Sequence, residues 1–369
     1  MIYLIVFLFE AFICYFYDKM QLNNVKPFYV HNYKLEISFR KILLGAAILL
    51  PLWFVMGLRY NIGIDYRAYE NIFKYIAFYK KNAYDSLERG YYYLNRVAAD
   101  ITQNPQILFF LVAFLINFLF FKGIEKSNGS MYYGVLSFMG LGYYFYAMNG
   151  QRQYIAIMIM FYALHFLEKR RMWEYFICVI VAVLFHKSAI IFVPIYFAIN
   201  YIPTKIFLGG SLGIAFAINR FGNYFLDILA DIGFYTSQIR RNESFFKSHF
   251  SLVNVGLSGL FLFCGAVFHK QIEKKQKNII CFKLVWITFL IYSFFYQFGQ
   301  AGVRIASYMC IAYFLLLSEI VSCFSSKLKK WIRILILIGL HISMFIIITY
   351  SGNNGQAYLP YKYRLLWEL

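Results

Sequence analysis

Apolar stretches long enough to bury a helix in lipid recur along the whole chain, and they leave room for little besides a bundle of membrane-spanning helices. They are 3–17, 41–58, 106–122, 131–147, 152–167, 172–185, 188–201, 205–219, 251–268, 281–298, 303–323 and 331–350. Of the 369 residues, 61% are hydrophobic and 14% charged, too little polar surface to cover a water-soluble core of this size. The pattern predicts an all-α, polytopic bundle of about twelve spans that forms one integral membrane domain over residues 1–369.

Met1 to Tyr17 lacks leading Lys or Arg and a small-residue cleavage site, so it reads as a retained anchor rather than a signal peptide. The run 172–201 is interrupted only at His186-Lys187-Ser188, which predicts two spans joined by a tight turn, the second kinked by Pro194. Cys14, Cys178, Cys264, Cys281, Cys310 and Cys323 fall inside spans or near their cytoplasmic ends, where neither a disulfide nor a Cys metal site is expected.

The formal net charge of +19 could indicate nucleic acid, but the cations are scattered between apolar runs instead of forming one stripe among aromatics, so no nucleic-acid partner is expected. Topology accounts for them. The alternate loops 18–41, 122–130, 168–174, 200–205, 269–283 and 325–333 hold 20 Lys and Arg. The opposite set holds 16, eleven of them in the long segments 59–105 and 220–250, leaving five for the short connections. Under the positive-inside rule the first set is cytoplasmic and both termini lie outside.

The two long outer segments read as amphipathic roofs over an outer-face cavity. In the first, Tyr66, Tyr69, Phe73, Ile76 and Tyr79 recur at helical spacing, with Arg67, Glu70 and Lys74 opposite. In the second, Phe221, Tyr224, Phe225, Ile228, Leu229 and Ile232 form a stripe, with Asp227 and Asp231 on a solvated face. Tyrosines at span ends ordinarily form an interfacial belt; stacking on sugar rings is the other use of such faces.

Arg59, Arg152, His186 and Arg304 stand at outer span ends, remote in sequence but equal in depth. An arginine there either snorkels to headgroups or faces a polar cavity. The neighbours favour a cavity: Arg59 precedes Tyr60-Asn61-Ile62-Gly63-Ile64-Asp65-Tyr66, Arg152 sits between Gln151 and Gln153, and Arg304 follows Gln297, Gln300 and two glycines. Guanidinium forks match phosphate oxygens bidentately, so such a cluster suits a diphosphate, of which the polyprenyl diphosphate carrier of glycans is the form fixed in a bacterial outer leaflet. Asp65 and His186 are the candidate proton acceptors. Their alternatives are a salt bridge from Asp65 to Arg59 or Arg67, and a hydrogen-bonding helix end for His186. Glu88 is a third acid on this side, placed to position sugar hydroxyls. Of the embedded acids, Glu319 reaches water near the cytoplasmic end, whereas Glu10 has no evident partner. No Walker loop, dinucleotide glycine pattern or zinc motif occurs, so no cofactor is expected. Gly140 and Gly142 fall within a span, where glycine permits close helix packing.

In order and spacing, these stretches resemble the oligosaccharide repeat-unit polymerases of bacterial surface polysaccharides, the Wzy type, and above all their EpsG-like branch. The resemblance rests on Gly57 to Tyr66 with Tyr69, Glu88-Arg89-Gly90-Tyr91, Asn149 to Gln153, Phe185-His186-Lys187-Ser188, Arg304 with Tyr308, and Leu359-Pro360-Tyr361. It implies a multi-pass protein of the bacterial cytoplasmic membrane that joins undecaprenyl-diphosphate-linked units on the outer leaflet, the growing glycan passing from its carrier to the next unit. The expected partners are that lipid-linked oligosaccharide, the growing glycan, membrane lipid and other assembly proteins. The resemblance also implies that Arg59, Tyr66, Glu88, Arg152, Gln153, Arg304 and Tyr308 bind substrate, with Asp65 and His186 at the reacting centre and no metal. A lipid-linked glycan flippase, a transferase using a polyprenyl-linked sugar, a ligase and a non-enzymatic scaffold remain the competing readings.

Overall fold

The computed structural model describes residues 1–22, 39–79, 87–231, 251–295, 299–353 and 358–367. Among them the regular structure is helical: α1 (Ile2–Leu22), α2 (Phe39–Gly57), α3 (Tyr66–Tyr79), α4 (Arg89–Ile101), α5 (Gln106–Lys126), α6 (Met131–Gly140), α7 (Tyr143–Asn149), α8 (Gln151–Glu168) and α9 (Met172–Phe185). A 3-10 turn, Lys187–Ile191, leads to α10 (Phe192–Tyr201), α11 (Thr204–Asp231), α12 (Leu252–Val267), α13 (His269–Ile272), α14 (Gln276–Phe294), α15 (Gly299–Met309), a second 3-10 turn, Cys310–Ala312, α16 (Tyr313–Ser322) and α17 (Ser326–Asn353). Five stretches among the described residues are long and apolar enough to cross a membrane: Phe39–Gly57, Gln106–Lys126, Gln276–Phe294, Ala301–Ser322 and Ser326–Tyr350. Met172–Phe185, Lys187–Tyr201 and Leu252–Val267 are shorter apolar helices. The chain is an integral membrane protein.

The helices gather into two compact units, one of Met1–His165, Trp173–Ile190 and Phe324–Leu369, the other of Phe166–Met172 and Ile191–Cys323. In the first, α1 packs on α2 and α6, α2 on α5, and α6 on α17. Helix ends in an apolar medium must have their orphan backbone groups satisfied by side chains, and here they are. At one end, Asp18 of α1 accepts the Met131 N–H (2.9 Å), the Tyr132 N–H (3.1 Å) and the Ser130 hydroxyl. Ser130 in turn accepts Tyr133 N–H, so the first turn of α6 is capped jointly from its own sequence and from a neighbouring helix. Lys41 of α2 and Lys122 of α5 pair with Glu125 at the same end (2.9 and 2.7 Å). The opposite end carries the start of α1, where Tyr3 packs edge-on against Tyr361.

Several local features depart from periodicity. The apolar run 131–147 is broken, because Gly142 takes φ +87 and separates α6 from α7. Gly140 behaves as expected of a packing glycine, since a Cβ there would stand 2.6 Å from Leu340 Cβ of α17. Pro194 falls in the first turn of α10, where its missing N–H costs no intrahelical bond; it follows the 3-10 turn instead of kinking a span. In α3, Glu70 belongs to the buried side beside Tyr66, Tyr69, Phe73 and Ile76, and of the three polar residues expected opposite that stripe Arg67 and Lys74 are exposed and Glu70 is not. Helix α11 continues unbroken from the expected span into the second outer segment. The side chains of Phe225 to Asp231, residues 232–250 and Gln297 lie outside the described residues.

In the second unit α14 packs against α11, α12, α15 and α16. Lys283 of α14 donates to Ile199 and Ile202 carbonyls (2.9 and 2.8 Å), a cation closing the C-terminal end of α10. Glu319 is held by Lys275 (2.9 Å) and Lys277 (3.2 Å), so this acid is neutralised by a local ion cluster.

Candidate functional site

The last turn of α2 leaves four carbonyls without intrahelical partners, and satisfying them builds one wall of the site. Val55 O accepts the Tyr361 hydroxyl (3.0 Å), Met56 O accepts Arg59 Nη1 (2.6 Å), Gly57 O accepts Gln106 Nε2 (2.6 Å) and Leu58 O accepts Arg364 N–H (2.9 Å). Arg59 also donates through Nη2 to Met148 O near the end of α7 (2.9 Å). Its fork therefore ties together two helix C-termini, whose partial negative charge suits a cation. The guanidinium is only 1% exposed, lies 5.1 Å from the Phe109 ring, and keeps a buried Nε without a hydrogen-bond partner. Burial lowers its pKa from the ordinary value, while the nearby phenols of Tyr66, Tyr3, Tyr144 and Tyr361 oppose the shift.

Segment 358–367 completes this wall. Tyr60 N–H donates to Lys362 O and Arg364 N–H to Leu58 O (2.8 and 2.9 Å), pairing Arg59 with Tyr363 in an isolated antiparallel bridge. Arg364 lies over the Tyr60 ring at 3.8 Å. Tyr66 is buried, stacked on Phe109 at 4.3 Å, and donates to Gln106 (3.3 Å). Burial pushes its hydroxyl up to about 12 against the pull of Arg59.

Beside that wall, Arg152, Glu88 and His186 come together. Arg152 Nη1 donates to Glu88 Oε2 at 2.6 Å, and His186 Nδ1 stands 3.6 Å from Glu88 Oε1. The acid is buried at 8% exposure, while Arg152 and His186 remain 34% and 24% exposed, so the carboxylate is more shielded than either partner, and Tyr69 also takes a hydrogen bond with Arg152. Gly90 makes the approach possible: a Cβ there would meet the Leu184 carbonyl at 2.8 Å, so only glycine lets the head of α4 rest on the end of α9. Behind them the Tyr91 hydroxyl donates to Gln151 Oε1 (3.3 Å) and lies within electrostatic reach of both Arg152 and Arg59, which joins the two walls.

Asp65 immediately precedes α3 and follows a turn with positive φ at Asn61 and Gly63. A Cβ at Gly63 would overlap Asn149 Oδ1 at 2.3 Å. Arg67 donates to Asn61 (2.8 Å) and pairs with Glu70 (2.8 Å), which Lys74 also holds (2.9 Å). Burial alone would raise the Glu70 carboxyl, but those two cations hold it below its ordinary value.

The first unit thus brings together Arg59, Asp65, Tyr66, Glu88, Arg152 and His186; Gln153 is buried on α8. Arg304 and Tyr308 belong to the second unit, one turn apart on α15, Arg304 exposed and Tyr308 buried against Phe192 (5.7 Å). Among the described residues no group of three or more His, Cys, Asp or Glu side chains is placed to hold a metal ion. Sequence reasoning missed Asn149 and Tyr358 as connectors and the central place of Glu88. The signal for α4 was present in Tyr91, Asn95, Ala98 and Ala99, spaced as one helical face and all buried.

No curated protein and no solved structure matches the chain significantly. A sequence model of the EpsG family matches residues 42–363, a span that holds every candidate residue from Arg59 to Tyr308. The protein is a member of the EpsG family.

Proposed function

We propose that this protein is a membrane glycosyltransferase that polymerises a bacterial surface polysaccharide, joining undecaprenyl-diphosphate-linked repeat units at the outer leaflet. Family membership supports a polysaccharide-polymerase role in general. The observation that carries the reaction is the contact of Arg152 and His186 with one shielded carboxylate, Glu88. In this reading the acceptor hydroxyl gives its proton to His186 as its oxygen attacks the anomeric carbon of the donor glycan. The bond from that carbon to the diphosphate oxygen breaks, and the electron pair leaves with the undecaprenyl diphosphate. Glu88 orients the imidazole and, with Tyr69, holds Arg152, whose positive charge meets the charge on the departing phosphate. A 3.6 Å separation is long for a hydrogen bond, and such contacts commonly tighten when substrate is bound. Asp65 is the second candidate base. The scheme belongs to a topology of about twelve spans with both termini and the mouth outside, as the Lys and Arg bias supports.

The scheme uses no metal. Purified protein in detergent, given purified lipid-linked units, is expected to make longer glycans at an unchanged rate in EDTA. Activity lost in EDTA and restored by magnesium would overturn the metal-free step, and movement of lipid-linked units across vesicles without elongation would favour a flippase.

A further inference from the structure

Tyr358 is fully buried and lies far along the chain from the residues it touches. Its ring packs on Phe145 at 5.3 Å, its hydroxyl donates to Phe145 O (3.1 Å), and the same oxygen accepts Asn149 Nδ2 (2.9 Å). The other atom of that amide, Oδ1, fills the space a Cβ on Gly63 would need. Two residues beyond Gly63 stands Asp65, whose carboxylate is near enough to act on the Tyr358 hydroxyl. Three residues beyond Asn149 stands Arg152, in the first turn of α8. One amide therefore touches the turn that carries Asp65 and leads into the helix that carries Arg152, and the Tyr358 hydroxyl holds one end of that amide.

We propose that Tyr358 is a positioning residue for transfer, acting through Asn149 to hold the 61–65 turn in register with the head of α8. The proposal rests on the polymerase reading above. Without the hydroxyl, Asn149 Nδ2 loses its acceptor, the amide reorients, and the glycine turn loses the group that fills its open side. The ring of a phenylalanine still fills the cavity, so the variant keeps its core.

Two measurements on full-length protein in detergent test this: hydrogen exchange at backbone amides 61–66, and steady-state transfer between purified lipid-linked units. Tyr358→Phe is expected to speed exchange at 61–66 and to lower kcat roughly tenfold with KM unchanged, the size of one lost hydrogen bond at the reacting geometry. Asn149→Ala should do the same, and the double variant should be no worse than the poorer single one, because both remove one contact. Unchanged exchange at 61–66 overturns the clamp. Faster exchange with wild-type kcat overturns its role in transfer, as does a loss confined to KM. If the unsubstituted protein makes no transfer at all, the polymerase reading fails, and exchange alone still decides whether the clamp exists.

Discussion

A guanidinium sealed from solvent with no carboxylate beside it destabilises a fold unless its charge is met in other ways. Arg59 meets it with carbonyls from two helix ends and with an aromatic face. Lysine carries the charge but cannot span both carbonyls, so Arg59→Lys is expected to destabilise the protein by about 2–4 kcal/mol. Thermal unfolding in detergent measures this, and an unchanged melting temperature would refute the tie. Glu70 makes a pH-dependent contribution of opposite sign to a raised group. Its folded pKa lies below the ordinary 4.5, so its stabilisation of α3 is complete above that value and is lost as the pH falls through the lowered one. Its partners are about half exposed, which keeps the effect small. Protection factors of α3 amides, corrected for the intrinsic pH dependence of exchange, should therefore fall below about pH 4.5, and Glu70→Gln should remove that dependence.

At the scale of elements, glycine and helix ends decide where chemistry is possible. Gly90→Ala would press a Cβ onto the Leu184 backbone, and backbone cannot move aside cheaply. The head of α4 must then lift from α9 and carry Glu88 away from His186, so transfer is expected to fall while α4 remains helical by circular dichroism. Apolar periodicity makes the helices legible, and the resemblance makes Arg59, Glu88, Arg152 and His186 legible as a set. What periodicity cannot reveal is pairing. Nothing in the spacing of Glu88, Arg152 and His186 says that the acid stands between the other two, because that depends on the contact at Gly90. Nor does it reveal that Arg59 serves the ends of α2 and α7, since orphan carbonyls acquire partners only once helices are assembled. The break at Gly142 is likewise invisible to hydropathy, which runs through it unchanged.

Across the whole molecule, the first unit separates its polar groups by end. Asp18, Lys41, Lys122 and Glu125 satisfy helix termini at one, and the other gathers Arg59, Asp65, Glu88, Arg152, His186 and Tyr358. Between them the exposed side chains of α1, such as Ile5, Leu8, Phe9 and Phe12, are apolar, as lipid demands. A bundle organised in this way gathers its candidate site residues at one end, which suits the proposed reaction on a lipid-linked substrate held at one leaflet. In the proposed mechanism the part-exposed guanidinium of Arg152 acts on the departing diphosphate. The direct test is the turnover of purified Arg152→Lys protein on lipid-linked units, read beside its melting temperature. A fall of about 10²-fold or more at an unchanged melting temperature is predicted, and wild-type turnover would contradict it.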